Sequence, residues 1–316
     1  MTSVLVYGAY GHTGRFVVAE LRRRGFEPIL SGRDAAKLPG GRPASVDDPA
    51  SLDRALEGVA AVINCAGPFA ATAIPVVEAA VRAGVPYVDV AAEIEANLDT
   101  FALEVDSVVV PAMAFFGGLG DLMATAAMGD LPEADEIHVA YALSSWHPTA
   151  GTLSAGRVSR ERRNGQRVRY ANGTLEHRDD ALPTLDWTFP APLGPQPVFG
   201  EFSMADIVTI PRHLKVPSVT SYMTANAAKD LFAGGKRDSA ESFVVDVVVR
   251  AGDEERRITA RGEDIYAVSA PLAVEAVDRI LTGRTRTKGG VASPGEMFDA
   301  PDFLEALAPH IKIDRT

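Results

Sequence analysis

The sequence predicts an α/β protein in which a doubly wound parallel sheet is joined to a second, α+β domain with a mainly antiparallel sheet. Three observations carry this expectation. The chain opens with an apolar run (residues 4–6), a glycine-rich turn, a segment apolar at helical spacing and a second short strand. Short apolar runs then alternate with helical segments to about residue 120, the pattern of parallel strands linked by crossover helices. Beyond that point the texture changes to alternating strands separated by Asn-Gly and Gly-Asp turns. A length of 316 residues suits about two domains. We expect residues 1–121 and 262–316 to form one domain and residues 122–261 the second.

Gly8, Gly11 and Gly14 follow the first strand and open the first helix. In a Rossmann-type unit the first glycine permits a tight turn, the second lets the backbone approach a pyrophosphate, and the third lets helix and strand pack closely. The helix N-terminus then points free N–H groups at the anion. Spacing here is G-x-x-G-x-x-G rather than G-x-G-x-x-G, but the strand before it and the helix after it supply the context that the motif requires. Tyr10, His12, Thr13 and Arg15 share this turn and join the glycines as cofactor-binding candidates.

The end of the second strand reads Ser31-Gly32-Arg33. An acid at this place would hold the ribose hydroxyls of NAD, whereas a guanidinium matches the 2′-phosphate of NADP, so NADP is the expected cofactor. Asp34 leaves NAD open as the other reading, and Arg33 as a solvated loop cation is a third. Asp48-Pro49 marks a helix start, and Asp47 before it is either an acceptor for the adenine amino group or a surface acid. Residues 60–64 form a central strand, which places Asn64, Ala66, Gly67, Pro68 and Phe69 at its carboxyl end near the nicotinamide half of the cofactor. A helix is expected over 75–82, stopped by Gly84, and Cys65 reads as a packed core residue.

Strands follow at 87–90 and 108–110, then a second glycine loop (111–121) expected to face the first across the cleft, with Asp121 capping a helix over 122–128. Ile137, Val139, Tyr141 and Leu143 alternate as a strand with one buried face. Asn164-Gly165 and Asn172-Gly173 read as hairpin turns, and residues 244–250 pair with 255–261 around Gly252-Asp253. Thr149 starts a helix whose first amides, with Arg157, would either hold a substrate carboxylate or simply be capped. The arginines at 157, 160, 162, 163, 167 and 169 read as a solvated face, and the proline-rich stretch 183–197 as a long loop. Helices over 265–281 and from Asp299 to Leu307 should pack back on the nucleotide domain.

Composition narrows the function classes. With 31 basic and 42 acidic residues, a net charge of −11 argues against a nucleic-acid surface. One cysteine and six scattered histidines offer neither a disulfide framework nor a metal site, and fit a reducing cytoplasm. We expect no leader, and the most apolar stretch, 59–81, is too interrupted to span a membrane.

Several pieces together resemble the saccharopine dehydrogenase-like NADP-binding oxidoreductases, a family that includes saccharopine reductases and trans-acting enoyl reductases. They are Tyr7-Gly-Ala-Tyr-Gly-His-Thr-Gly-Arg15, Ser31-Gly-Arg33, Val62-Ile-Asn-Cys-Ala-Gly-Pro-Phe69, Val76-Val77 with Ala79-Ala80, Gly84 with Tyr87-x-Asp89, and Gly262-Glu-Asp-x-Tyr266. The family commonly carries Gly-Phe-Asp-Ser-Val-Pro-Ser-Asp-Leu-Gly where this chain has Ala114-Phe-Phe-Gly-Gly-Leu-Gly-Asp-Leu-Met123. The resemblance implies hydride transfer between NADP(H) and a C=N or polarised C=C bond of a small-molecule substrate, in a homodimer, with residues 1–121 and 262–316 as the dinucleotide-binding domain and residues 122–261 as the substrate-binding and dimerisation domain. No tyrosine is followed four residues later by lysine, which disfavours the short-chain carbonyl-reductase mechanism. Asp121, Tyr141, His147 and Glu93 are the candidate proton donors. The contrasting expectation is a nucleotide-binding sensor or scaffold without turnover.

Overall fold

The structure, a computed structural model, describes residues 1–233 and 241–315. The first half alternates strand and helix: β1 (Ser3–Tyr7), α1 (His12–Arg23), β2 (Glu27–Gly32), β3 (Arg42–Pro43), α2 (Pro49–Leu56), β4 (Ala61–Asn64), α3 (Phe69–Ala83), β5 (Tyr87–Asp89), α4 (Ile94–Phe101), β6 (Val108–Val110) and α5 (Gly120–Met128). Next come β7 (Glu136–Leu143), α6 (Ala150–Arg162), β8 (Arg167–Ala171), β9 (Thr174–Arg178), β10 (Thr184–Phe189), β11 (Gly194–Phe199), α7 (Asp206–Thr209), β12 (Val219–Thr224), α8 (Ala225–Ala233), β13 (Ser242–Ala251) and β14 (Glu254–Glu263). The chain closes with α9 (Ser269–Leu281), β15 (Gly290–Val291), α10 (Pro294–Met297), α11 (Ala300–Ala306) and β16 (Lys312–Arg315).

Two sheets result, as expected. The first is parallel throughout in the order β15-β6-β5-β4-β1-β2-β3. Its central strands are apolar on both faces, with Val4, Val6, Ala61, Val62 and Ile63 fully buried, because helices cover both sides. The order reverses between β1 and β4, so a crevice opens at their carboxyl ends. The second sheet runs β10-β11-β12-β7-β13-β14-β16 and is antiparallel except for β12 beside β7. Val244 pairs with Arg261 and Arg250 with Glu255, the expected hairpin register.

Local chemistry explains most boundaries. Asp48 caps α2 by accepting from Ser51 N at 3.3 Å, and Pro49 follows at the first helical position. Gly84 ends α3 in a left-handed conformation. Yet α3 begins at Phe69, six residues earlier than expected, with Pro75 inside it. The loss of one N–H is outweighed by the alanines at 70, 71, 73, 79 and 80, which favour helix, and by burial of its inner face.

Three further expectations needed long-range information. Residues 183–197 are not a loop but most of the β10–β11 hairpin, and β7 is buried on both faces because that hairpin curls over it. Trp187 donates to Asp246 on β13 at 2.8 Å, while Phe189, Val198 and Tyr222 cover Ala140 and Ala142. Asn164-Gly165 closes α6, with Gly165 N on Arg160 O at 2.8 Å, whereas Asn172-Gly173 makes a true hairpin turn between β8 and β9. Both pairs adopt the same left-handed angles, so only their surroundings distinguish a helix stop from a hairpin.

The C-terminal segment stitches the sheets together. α9 lies on α1 through a buried charge network in which Arg24 and Arg279 share Glu275, and Arg279 also holds Asp302 on α11. β15 extends the parallel sheet beside β6, then β16 crosses to pair with β14 in the other sheet. Helix α9 starts at Ser269, four residues later than expected, because Asp264 holds the preceding turn by accepting from Tyr266 N and Ala267 N, each at 3.1 Å. Asp299 caps α11 as expected.

At the seam between sheets, Gly120 touches Asp206. A Cβ on Gly120 would stand 2.1 Å from Asp206 Oδ1 and 3.1 Å from the Tyr141 hydroxyl, and its backbone angles are helical, so the obstruction is purely steric. Gly120→Ala should lower the unfolding free energy by about 1–3 kcal/mol, read from urea denaturation midpoints at unchanged slope.

Candidate functional site: the cleft at the glycine turn

The glycine turn occupies the crevice at the β1–β4 reversal. Gly8 has φ +85°, and a Cβ there would lie 2.8 Å from Ala66 N on the neighbouring loop; a Cβ on Gly14 would lie 2.2 Å from Gly8 O. Only glycine lets these backbones meet. The first intrahelical bond of α1 is Arg15 N to Gly11 O at 3.1 Å, so the amides of His12, Thr13 and Gly14 precede it. No side chain caps this end and no acid stands in the first turn, which leaves the dipole open to an anion.

Beside the turn, Ser31 and Gly32 work from inside. Ser31 is fully buried; its carbonyl accepts from Gly8 N and Ala9 N at 2.9 and 3.1 Å, and its hydroxyl donates to Arg42 O at 2.7 Å. The Tyr10 ring lies against Gly32, where a Cβ would come 2.8 Å from Cε1. Asp34 turns back to its own segment, accepting from Ala36 N at 3.2 Å and pairing with Lys37 at 3.0 Å. The Lys37 hydrogen bond holds its carboxyl below the usual range. Arg33 and Arg15 are exposed, and among the described residues neither has a carboxylate within ion-pair distance. Asp47 is an exposed loop residue four positions beyond β3, not at a strand end.

Across the crevice, Asn64 does not reach the cleft. It is fully buried, donates to the Tyr87 hydroxyl at 3.1 Å and to Thr72 Oγ1 at 3.4 Å, and accepts from Ala66 N at 3.0 Å. Tyr87 donates onward to Asp89 at 2.8 Å, and Asp89 accepts from Ala91 N and Ala112 N at 3.0 and 2.8 Å. Burial pushes the Asp89 carboxyl up to about 6. This relay ties together the carboxyl ends of β4, β5 and β6. Sequence reasoning missed it, although a tyrosine and an acid inside an apolar strand were the available signal. Ala66, Gly67 and Pro68 form the rim, with a cis Gly67-Pro68 bond, while Phe69 is buried at the start of α3. Burial and the nearby Asp89 push the Cys65 thiol up, so it is a packing residue.

The four proton-donor candidates are not gathered at one place. Glu93 accepts from Phe69 N and Ala92 N, both at 3.1 Å, at the base of α3, and burial raises its pKa. The second glycine loop does not form an open wall facing the first: Phe115, Phe116 and Leu119 are buried among Tyr141, Trp146 and Phe243. Asp121 is not a cap but a fully buried residue of the first turn of α5, bonded to His213 Nε2 at 2.7 Å and Gly295 N at 2.8 Å. Tyr141 is equally interior and donates to Asp206 at 2.8 Å; burial pushes the Asp206 carboxyl up to about 6. The aromatic core closed over this loop, a consequence of packing that local pattern does not reveal.

His147 lies closer to the start of α6. Its backbone N–H donates to Glu241 at 2.9 Å, and its Nδ1 has no partner among the described residues. Thr149 caps α6, and the arginine run is largely paired: Arg157 with Glu161, Arg162 with Asp99, Arg163 with Glu95, Arg167 with Asp180 and Arg169 with Glu176. Tyr266, not among the expected site residues, meets the His12 ring edge-on at 5.0 Å.

Burial opposes charge on His213, but the field and hydrogen bond of Asp121 outweigh it and raise the histidine above its usual value. The pair therefore adds stability below about pH 6.5 that fades as pH rises through the raised value. His213→Gln should cost more stability at pH 6 than at pH 9 by urea denaturation; equal losses would exclude the ion pair.

Comparison with known proteins agrees with this geometry. Residues 4–107 match the family described as the saccharopine dehydrogenase NADP binding domain. A probable mitochondrial saccharopine dehydrogenase-like oxidoreductase of Arabidopsis thaliana is 32% identical over 142 residues, covering 35% of this chain and 31% of that protein. A saccharopine dehydrogenase-like oxidoreductase of Homo sapiens is 29% identical over 117 residues, covering 28% and 27% respectively. The matched region thus spans less than a third of either relative. Apo saccharopine dehydrogenase (L-Glu forming) from Saccharomyces cerevisiae superposes over 100% of both chains with a TM-score of 0.68 at 10% identity, which shows a shared fold. Among the described residues no helix is long and apolar enough to cross a membrane. The chain therefore shares its fold with that saccharopine dehydrogenase, and residues 4–107 are similar to the NADP binding domain of the saccharopine dehydrogenase family.

Proposed function

We propose that this protein is an NADP(H)-dependent oxidoreductase that moves hydride to or from a C=N or polarised C=C bond of a small metabolite. The observation that carries the cofactor half is Arg33, an exposed guanidinium just after β2, beside the glycine turn and the uncapped start of α1. In a chain of net charge −11, Arg33 and Arg15 provide the local positive potential that a 2′-phosphate needs. Asp34, the group that would favour NAD, is committed to Lys37. When bound, NADPH supplies the hydride. The chain's own part is to hold the pyrophosphate on the amides at 12–14, present the Ala66–Pro68 rim beside it, and screen the site with α6. His147 is the candidate proton donor that lies nearest α6, and Glu93 the one that buttresses α3.

The division into residues 1–121 with 262–316 and residues 122–261, a homodimer and a cytoplasmic location belong to the same proposal. Support for the last is a single free cysteine. A non-catalytic NADP(H) sensor or scaffold is the second reading. It is favoured by the interior placement of Asp121 and Tyr141, neither of which reaches the cleft.

Calorimetric titration should give tighter binding of NADPH than of NADH. Arg33→Asp should weaken NADPH binding at least tenfold, as expected for loss of about 1.5–3 kcal/mol from a charge-assisted contact, and NADH binding less than threefold. Equal losses for the two would remove Arg33 from the phosphate site. Protein that binds NADPH but oxidises it with no imine or enoyl substrate would overturn the enzyme reading and favour the sensor.

A further inference from the structure

The Gly262-Glu-Asp-x-Tyr266 segment has no part in the cofactor contacts above, yet it lies where the two sheets meet the glycine turn. We propose that Tyr266 is a positioning residue that sets the first turn of α6 relative to the glycine turn, so that nucleotide binding at one is felt at the other. This rests on the NADP-cleft reading.

The Tyr266 hydroxyl uses its full hydrogen-bonding capacity. Trp146 Nε1 and Thr149 N both donate to it at 3.3 Å, and Thr152 Oγ1 stands at 3.0 Å in position to receive its proton. Thr152 Oγ1 is in turn 3.0 Å from Thr149 Oγ1, which caps α6 by accepting from Thr152 N at 3.1 Å. One hydroxyl therefore joins buried Trp146, in the segment after β7, to the cap of α6. The tyrosine ring meets His12, the first residue of α1, edge-on at 5.0 Å with planes at 86°.

Both ends of this connection are anchored. Asp264 pins the turn beneath Tyr266, and α9 beyond it is locked to α1 through Glu275 and Arg24, so the ring cannot drift from the glycine turn. Trp146 is 1% exposed and packed on Phe116. At its far end α6 is held to α4 by Ser159 and Arg163 on Glu95 and by Arg162 on Asp99. Helix α6 is thus a strap with one end on α4 and the other on Tyr266. A shift of the His12 turn has a rigid path to its first residues.

Trp146 emission reports on this hydroxyl directly. The chain's other tryptophan, Trp187, sits on the opposite face of the second sheet, bonded to Asp246, and contributes equally to every spectrum compared. NADP⁺ is the probe, because it does not absorb at tryptophan emission wavelengths, and excitation at the red edge of the indole band avoids its own ultraviolet absorption. Saturating NADP⁺ should alter tryptophan emission of the parent protein. Tyr266→Phe, which keeps the ring on His12, should bind NADP⁺ within threefold of the parent by calorimetry and lose that change. Thr152→Val, a milder variant that keeps the Trp146 contact, should at least halve its amplitude. A change of undiminished amplitude in both variants, or none in a parent protein that binds NADP⁺, would overturn the positioning role. Absence of NADP⁺ binding would instead overturn the cofactor reading.

Discussion

Backbone meeting backbone at the β1–β4 reversal is the constraint on which the cleft depends. Gly8 presses on the Ala66 amide and Gly14 on the Gly8 carbonyl, closer than any side chain allows. That contact lets α1 start directly behind β1 with its amides uncovered. It also fixes β2, since the Ser31 carbonyl takes the two amides of Gly8 and Ala9, and so places Arg33 beside the turn. The positive end of the cleft is therefore a consequence of close packing as much as of charge.

The carboxyl ends of the parallel strands are held by polar groups that never see solvent. Asn64, Tyr87 and Asp89 satisfy one another and the amides of Ala66, Ala91 and Ala112. Buried polar groups are tolerable only when so completed, and a completed network specifies one arrangement of loops. At the seam between sheets, Asp121 with His213 and Gly295, and Asp206 with Tyr141, likewise join elements far apart in sequence, although Asp206 Oδ2 has no partner among the described residues. Residues that looked chemical in isolation here have structural work to do. Catalysis, on the reading proposed above, falls to groups nearer α6.

The chain end is what turns two sheets into one molecule. After β14 the backbone leaves the antiparallel sheet, lays α9 on α1, adds β15 to the parallel sheet and returns β16 to the first partner. Tyr266 sits at the first of these crossings. A position that serves both sheets and touches the glycine turn is well placed to pass a change in one to the other.

The glycine turn, the strand-helix alternation, the Asp48-Pro49, Gly84 and Asp299 boundaries and the register of β13 with β14 were legible in the sequence. Each is decided within a few residues, by sterics at glycine and proline or by a side chain capping its own helix. The other outcomes were decided at long range. Asn164-Gly165 and Asn172-Gly173 share one conformation but end different elements, and the prolines of 183–197 became a hairpin because the bare face of β7 and β13 needed cover. Asp121 and Tyr141 went inside because partners more than 60 residues away, Gly295, His213 and Asp206, were there to satisfy them. Local sterics determine where an element begins and stops; only tertiary packing decides which polar groups find partners, and hence which side chains remain free to meet a ligand.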